Sequence, residues 1–392
     1  MRFLYSHRIR SRDGQAVHLE AMVAALRAAG HEVRVVGPAG FEHGSLGGDS
    51  KAVSFVRQRL PAWVGELAEL AYAVPAAIRL DRAASAFRPD VIYERANLFH
   101  LAGTLVAVRR GLPLLLEVNA PLAEERARFG GLALRPLAAF FERLVWRRAD
   151  RVLPVTAVLA ARVARAGVPA ARMTVVPNGI EPEDFPRLAE RPSNGEIVLG
   201  FIGFLREWHG LASVVRALAA AEPGLRPVLQ VVGDGPAREG LERLAAECGV
   251  ADRVRFTGLV PRDEVPNVVA GFDIALQPAA VDYACPLKVL EYMAAGRPIV
   301  APDQPNIREL LEHGRTALLF DPADPDGLWR AALRLAGDAA LRRALGDAAR
   351  AEILRRDLTW GGHARRVAML AATETGRRAA GRAARTTPEP AA

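Results

Sequence analysis

Along most of this chain, short runs of contiguous apolar residues alternate with longer stretches whose apolar positions return at helical spacing. The first kind predicts strands buried on both faces, and the second predicts the helices that cover them. Arg2 to Tyr5 is the first such strand, followed by a loop from Ser6 to Gln15 and a helix expected from about Ala16 to Ala29, stopped at Gly30. Val33 to Val36 then closes a βαβ unit. Further strands are expected at Val91 to Tyr93, Leu114 to Val118, Arg151 to Val155 and Thr174 to Val176. Phe55 to Phe87 has helical spacing broken by Pro61 and Pro75, and Arg126 to Arg148 reads as one helical region.

Glu181 to Asn194 is rich in proline and charge and has no long apolar period, which marks it as a linker. Beyond it the rhythm restarts, with strands expected at Ile197 to Phe201, Val228 to Val232, Val254 to Thr257, Ile274 to Leu276, Ile299 to Ala301 and Thr316 to Phe320. Two doubly wound parallel α/β sheets follow from this order. The expected division is an N-terminal domain over 1–182, a linker over 183–196 and a C-terminal domain over 197–356. A final helix over 357–374 and a disordered, Arg- and Ala-rich tail over 375–392 complete it.

Composition narrows the partners without choosing among them. The chain has 392 residues, 52 basic against 44 acidic, for a formal net charge of +8. An arginine-rich surface favours phosphates, nucleic acids or anionic lipid alike. Cys248 and Cys285 are the only cysteines and lie far apart, which fits a reducing cytoplasm and argues against a zinc site. No apolar run reaches the roughly 20 residues needed to cross a bilayer. The chain opens directly on a strand pattern, so no signal peptide is expected and the location is read as cytoplasmic.

The most informative stretch is Asp282 to Pro298. Proline at the entry of a short helix and glycine past its exit, at Pro286 and Gly296, frame it. Lys288 then sits in a first turn whose dipole is already positive, which suggests an anion between ammonium and free amides. Glu291 stands among Val289, Leu290 and Met293 and needs a hydrogen-bond partner, which a pair of sugar hydroxyls would supply. A snorkelling Lys288 and a Glu291 that caps a neighbour fit the local pattern equally.

Other candidates are placed by position. Gly200 to Gly210 follows the first strand of the second half; Gly203 permits close backbone approach, and Arg206 and His209 can neutralise oxygen charge on a departing phosphate. Gly14 lies in the first βα loop, and Glu94, Arg95 and Asn119 follow strands where ligands of open sheets bind. Val231 to Pro236 is not a dinucleotide fingerprint, because Arg238 stands where the third glycine is needed. No HExxH, clustered His/Cys or DxD pair appears that would hold a metal, no Walker loop or GxSxG elbow is present, and aromatic platforms for nucleic acid are not evident. The Arg126 to Arg148 region mixes cationic and apolar residues as an interfacial membrane helix does, and as a helix packed on a core does too.

Four elements coincide in order: the Gly203 to Gly210 loop, Gly233-Asp234-Gly235-Pro236, Thr257-Gly258-Leu259-Val260, and Pro286-Leu287-Lys288 running on to Arg297-Pro298. With Val176-Pro177-Asn178-Gly179 they resemble the group 1, or family 4, retaining glycosyltransferases over about residues 1 to 372. The resemblance implies a GT-B architecture, two Rossmann-like domains with an interdomain cleft, and a nucleoside diphosphate sugar as donor. It implies transfer with retention, no bound metal and no cofactor. Residue by residue, it places Glu291 on the ribose, Pro286, Leu287 and Lys288 over the diphosphate, and Gly203 and Arg206 in the phosphate loop. Val260 falls near the base, and Gly14 in a glycine loop near the donor phosphate. Asn119 takes the place of a histidine beside the transferred sugar and cannot act as a base. Gly233, His209, Asp282 and Tyr283 complete the donor set.

Besides Asn119, the chain departs from the family pattern in two places. Tyr283, with Asp282 beside it, stands where the first glutamate of the paired-glutamate motif would fall, and Phe204 and His209 stand for the usual arginine and lysine. The expected acceptor is a saccharide or lipid-linked intermediate of polysaccharide or glycoconjugate synthesis, with peripheral membrane contact through Arg126 to Arg148 and no nucleic acid. The rival readings are a sugar-nucleotide epimerase and a non-catalytic basic binding protein.

Overall fold

A computed structural model describes residues 1–9, 14–38, 61–186, 196–220 and 226–386. The chain divides into two compact units, the first comprising Met1–Pro177 with Trp360–Ala392 and the second Asn178–Thr359.

Among the described residues, the sheet of the first unit has five parallel strands, β1 (Arg2–Ser6), β2 (Glu32–Val36), β3 (Val91–Arg95), β4 (Leu114–Val118) and β5 (Arg151–Pro154). Their spatial order is β2-β1-β3-β4-β5. Every residue of β3, β4 and β5 is buried, as strands covered on both faces must be. The covering helices are α1 (Gly14–Ala28), α2 (Ala62–Ala71), α3 (Ala73–Phe87), α4 (Ala102–Arg110), α5 (Leu122–Phe129), α6 (Arg135–Arg148) and α7 (Ala157–Arg165).

The described residues of the second unit form six parallel strands, β6 (Glu196–Ile202), β7 (Arg226–Val232), β8 (Val254–Gly258), β9 (Ile274–Leu276), β10 (Ile299–Pro302) and β11 (Leu318–Phe320), in the order β11-β10-β9-β6-β7-β8. Its helices are α8 (Leu211–Ala219), α9 (Arg238–Glu247), α10 (Val265–Ala270), α11 (Leu287–Ala294), α12 (Pro305–Arg308), α13 (Gly327–Gly337) and α14 (Ala339–Arg355). Phe201, Val231, Leu276 and Val300 of the sheet share one core with Val214, Val215 and Leu218 of α8. The chain then returns to the first unit as α15 (Trp360–Thr386), which packs along α1. There the buried Arg151 guanidinium bonds Glu374 at 3.0 Å through Nε, and Arg378 bonds Asp150 at 2.8 Å. No helix among the described residues is long and apolar enough to cross a membrane.

Several boundaries differ from the sequence reading. Residues 55–60 and most of the Glu181 to Asn194 segment lie outside the described residues. The expected break at Pro75 falls just before it: α2 ends at Ala71 and α3 begins at Ala73, with Tyr72 between them still helical at φ −61° and ψ −17°, and Pro75, in the first turn of α3, has no N–H to donate to the Ala71 carbonyl. Arg126 to Arg148 is two helices, not one, parted at Gly130 and Gly131, the latter at φ +72°. Thr174 to Val176 forms no strand. Thr174 and Val176 donate to the carbonyls of Val152 and Pro154, both at 3.0 Å, but Pro154 has no N–H with which to return a bond. The terminal helix runs on to Thr386, through residues expected to be disordered, because its buried face continues to Glu374 and its ion pairs to Arg378.

Candidate functional site

In an open parallel sheet, ligands gather outside the carboxyl ends of the strands, where the strand order reverses. In the second unit that point lies between β6 and β9. Gly203 follows β6, and the loop after β9 leads into α11, so the two stretches singled out in the sequence flank one crevice of one sheet.

Gly203 has φ +143°, a conformation that favours glycine, and a Cβ there would come within 2.9 Å of the Lys288 Nζ. Lys288, in the first turn of α11, is partly buried with its ammonium 4.0 Å from the centre of the Phe201 ring. It also lies 3.5 Å from His209 Nε2. Burial pulls the Lys288 pKa down from 10.5 to about 7, with Glu291 opposing that shift. The Gly203 loop is itself pinned: its N–H donates to the Val232 carbonyl, and a Cβ on Gly233 would strike the Gly203 carbonyl oxygen. Gly235 packs as closely on Leu205.

His209 is where the expectation needs correction. Its Nδ1 accepts from the Arg206 N–H at 3.3 Å, so Nε2 carries the hydrogen of the neutral ring. Burial, then Lys288 and Arg206, lower its pKa to about 2. The imidazole therefore offers a neutral N–H, not a positive charge. Arg206 is exposed, lies over the Phe204 ring at 5.0 Å, and has no carboxylate partner among the described residues.

Glu291 is 5% exposed and its Oε1 accepts from Arg262 at 2.5 Å. The partner that its burial demanded is thus a side chain, while Oε2 accepts from no group among the described residues. Arg262, on the loop after β8, was not singled out in the sequence; its proximity to the Thr257 to Val260 motif was the available signal. Val260 on the same loop is partly buried. Tyr292, one position on from Glu291, donates to Leu276 O at 3.2 Å and accepts from Ile202 N–H at 3.1 Å, joining the ends of β9 and β6.

Two side-chain amides hold the first half of the stretch. Asn178 donates to the Cys285 carbonyl at 2.6 Å, and Asn306 donates to Ala284 and Val281 at 2.8 and 3.1 Å. Burial pushes the Cys285 thiol up to about 12, which removes it as a nucleophile. Tyr283 is buried at 5% exposure and Asp282 is exposed. Pro286 stands at the N-cap of α11 and Leu287 begins it; the Val289 N–H donates to the Pro286 carbonyl at 3.1 Å, while the amides before it have no carbonyl of a preceding turn to bond.

In the first unit the carboxyl ends of β1, β3 and β4 hold a buried polar network centred on Glu117. Its Oε1 accepts from Arg95 at 2.6 Å and Asn119 at 2.5 Å, and its Oε2 from Tyr93 at 2.7 Å, with His18 Nε2 at 2.8 Å. Burial alone would raise the Glu117 pKa, but His18, Arg95 and the bond from Asn119 hold it well below the ordinary carboxylate range. A lone carboxylate in an otherwise apolar strand was the sequence signal for this network. Glu94 is likewise buried, accepting from Ser6 Oγ at 2.9 Å and the Gly103 N–H at 2.7 Å. Gly14 opens α1, but the loop before it, residues 10–13, lies outside the described residues. A cavity of about 510 Å³ lies among α5, α6 and α7, flanked by Arg135, Arg143, Arg165 and Glu142.

Residues 196–338 match the family described as glycosyl transferases group 1, and residues 13–179 match the glycosyl transferase 4-like domain. The 2-deoxystreptamine N-acetyl-D-glucosaminyltransferase of Streptomyces fradiae is 31% identical over 69% of this chain and 68% of its own. A GDP-mannose-dependent alpha-(1-6)-phosphatidylinositol monomannoside mannosyltransferase of Mycobacterium tuberculosis is 31% identical over 56% of this chain and 61% of its own. Among solved structures, Anabaena Alr3699/HepE in complex with UDP superposes with a TM-score of 0.74 at 18% identity, covering 95% of this chain and 100% of that one.

Proposed function

The chain belongs to the group 1 glycosyltransferases and has their GT-B fold, and from that premise we propose that it moves a sugar from a nucleoside diphosphate donor to an acceptor hydroxyl with retention and without metal. One observation carries the donor site: the Lys288 ammonium, in the first turn of α11, lies beside both the His209 N–H and Gly203 at the carboxyl end of β6. A cation beside free helix amides is an arrangement that a diphosphate completes. Arg206, without a carboxylate partner among the described residues, can follow the leaving group. Glu291, with Oε2 open, takes the ribose hydroxyls, while Arg262 keeps Oε1.

In this reading the bond from the anomeric carbon to the diphosphate oxygen breaks as the acceptor oxygen attacks from the same face. The acceptor proton passes to the departing phosphate oxygen. Charge gathers on the diphosphate and on an oxocarbenium-like sugar, and fixed dipoles and cations stabilise it without reorganising. Lys288 must be protonated for this step, and a bound diphosphate keeps it so.

The first unit is read as the acceptor side. The exposed Phe129 and Phe140 lie on helices that also carry Arg128 and Arg143, beside the cavity among α5, α6 and α7. That mixture suits a saccharide or lipid-linked acceptor presented at a membrane face.

The test is a thermal-shift screen with UDP, GDP, ADP and TDP, followed by sugar variants of the base that binds. The expected result is a rise in Tm with one base that is lost in Lys288→Ala; no rise with any of the four overturns the donor reading. Flotation with anionic liposomes tests the acceptor side, and flotation unchanged by charge reversal at Arg128 and Arg143 counts against it.

A further inference from the structure

We propose that the cavity among α5, α6 and α7 binds the phosphate group of a small phosphorylated ligand, with Arg135, Arg143 and Arg165 as its cationic contacts. The site is made of residues of the first unit alone, and the inference stands whether or not the donor reading does. It goes beyond that reading by naming the chemical group that the first unit takes.

The cavity holds about 510 Å³, a volume within the roughly 300–1,000 Å³ of small-molecule sites. Arginines reach it from two helices, Arg135 and Arg143 from α6 and Arg162 and Arg165 from α7. They are not equivalent. Arg162 is already paired, one terminal nitrogen lying 3.1 Å from both carboxylate oxygens of Glu124. Arg135 donates through Nε to the Leu132 carbonyl at 3.3 Å, which holds the guanidinium and leaves its two terminal nitrogens without a partner among the described residues. Arg143 and Arg165 form no hydrogen bond and no ion pair among the described residues. By contrast, Arg110 and Arg126 of the same unit each bond a carboxylate, Asp81 and Glu69. Guanidiniums that line one cavity without a counter-charge repel one another, and an anion that accepts from them removes the repulsion. A phosphate ester suits them better than a carboxylate, because it brings about two charges and three acceptor oxygens to planar donors.

The acidic member of the wall is Glu142. Its Oε1 accepts from the Ala123 N–H at 3.2 Å, and the carboxyl also accepts from the Leu122 N–H, so it caps α5, whose own N-cap residue is Pro121. Burial pushes its pKa up to about 7; the two N–H bonds and Arg143 oppose that shift, and Glu124 adds to it. The other charged groups around the cavity are Glu124 on α5, Arg135 and Arg143 on α6, and Arg162 and Arg165 on α7. A bound anion favours the neutral carboxyl, so binding takes up a proton and weakens as pH rises through about 7. Trp146, which is buried, gives the cavity an apolar wall for the rest of the ligand.

The experiment uses the full chain carrying Lys288→Ala, which removes the cation of the donor crevice, and titration calorimetry with glucose 6-phosphate, inorganic phosphate and glucose. Both phosphates are expected to bind and glucose is not. Arg143→Ala and Arg165→Ala are each expected to weaken phosphate binding by about tenfold or more, as loss of a charge-assisted hydrogen bond does. Arg148→Ala, at an exposed arginine of α6 outside the cavity, is expected to change nothing. Sedimentation with phosphatidylcholine vesicles carrying phosphatidic acid separates two sources of the group. Pelleting that is lost in Arg143→Ala, without titration by the soluble phosphates, assigns it to a lipid headgroup; titration without pelleting assigns it to a free ester. Binding in neither form overturns the inference, and so does a loss in Arg148→Ala equal to that in Arg143→Ala, the mark of attraction to overall positive charge.

Sulfate, which does not titrate near neutrality, reads the proton. In the same Lys288→Ala chain its affinity is expected to fall by up to about tenfold per unit as pH rises from about 6 to 8. Glu142→Gln keeps an acceptor for the α5 amides and cannot ionise, so its profile is expected to be level. An equal fall in both chains, or a level profile in both, overturns the part given to Glu142.

Discussion

The ammonium of Lys288 stands 3.5 Å from Nε2 of His209, a nitrogen that itself carries a hydrogen because Nδ1 accepts from the Arg206 amide. Two donors thus face one another with no acceptor between them, and burial draws the lysine down to about pKa 7. Diphosphate affinity should follow. Below about pH 7 Lys288 is charged before the ligand arrives; above it, binding must take up a proton. Affinity is therefore expected to fall by up to about tenfold per pH unit as pH rises from about 7 toward 9. Calorimetry in buffers of different ionisation enthalpy reads both the fall and the proton, and Lys288→Arg should flatten the profile. An affinity that is level across this range contradicts the assignment.

Removing a fixed cation from developing phosphate charge raises the barrier by about 2.7–4 kcal/mol. Arg206→Ala and Lys288→Ala are each expected to lower turnover by about 10²-fold or more at saturating donor. Near-wild-type turnover in both would leave the phosphate without its proposed partners.

Glu291 and Arg262 separate a ribose contact from a structural ion pair. Glu291→Ala should weaken nucleoside diphosphate binding by about tenfold or more, since hydrogen bonds to a charged group contribute about 1.5–3 kcal/mol. Arg262, whose side chain is 49% exposed against 6% for that of Glu291, is expected to matter less for binding, because in this reading it touches the carboxylate and not the ribose. If Arg262→Ala weakens binding as much as Glu291→Ala does, the carboxylate acts through its partner and not on the ligand.

Gly233 cannot carry a side chain without moving the phosphate loop. It has φ +121°, and its Cβ would run into the Gly203 carbonyl oxygen. Gly233→Ala is expected to destabilise the fold by about 1–3 kcal/mol and to weaken diphosphate binding through displacement of Gly203. Urea unfolding and calorimetry on one preparation measure both. Gly240→Ala, at a site with open space around it, is the matched control.

Arg151 and Glu374 form an ion pair with side chains 9% and 6% exposed. Truncating one partner leaves the other charge buried, a loss of about 3–5 kcal/mol. Glu374→Ala should therefore lower the urea midpoint followed by tryptophan fluorescence, whereas Arg356→Ala, whose guanidinium is 3.9 Å from Glu352, should not.

The strands were legible because a parallel strand covered on both faces must be apolar along most of its length, and β3, β4 and β6 are so. The ends of α11 were legible for a different reason: Pro286 and Gly296 are punctuation, and Gly296 has the left-handed φ of +64° expected of it. What sequence could not reveal depends on partners distant along the chain. The charge state of His209 is set by burial and by Lys288, and Glu291 meets Arg262 rather than solvent. Glu117 looked like one residue of a strand, and only the pairing of β1, β3 and β4 and the docking of α1 bring Tyr5, Tyr93, Arg95 and His18 around it. The missing strand at Thr174 to Val176 shows the limit of local pattern, since its β-branched residues were right and Pro154 on the neighbouring strand was not.

The return of α15 to the first unit makes the second unit an insertion within the first. Arg151 waits 223 residues for Glu374, and Asp150 waits 228 for Arg378. During synthesis the second unit has all its strands before the first has its last helix, so the order of emergence from the ribosome is not the order of completion. The half-built first unit must hold its sheet while α1 lacks the helix that covers it. Premature termination before Trp360 would then release a folded second unit joined to a first unit with an exposed apolar flank.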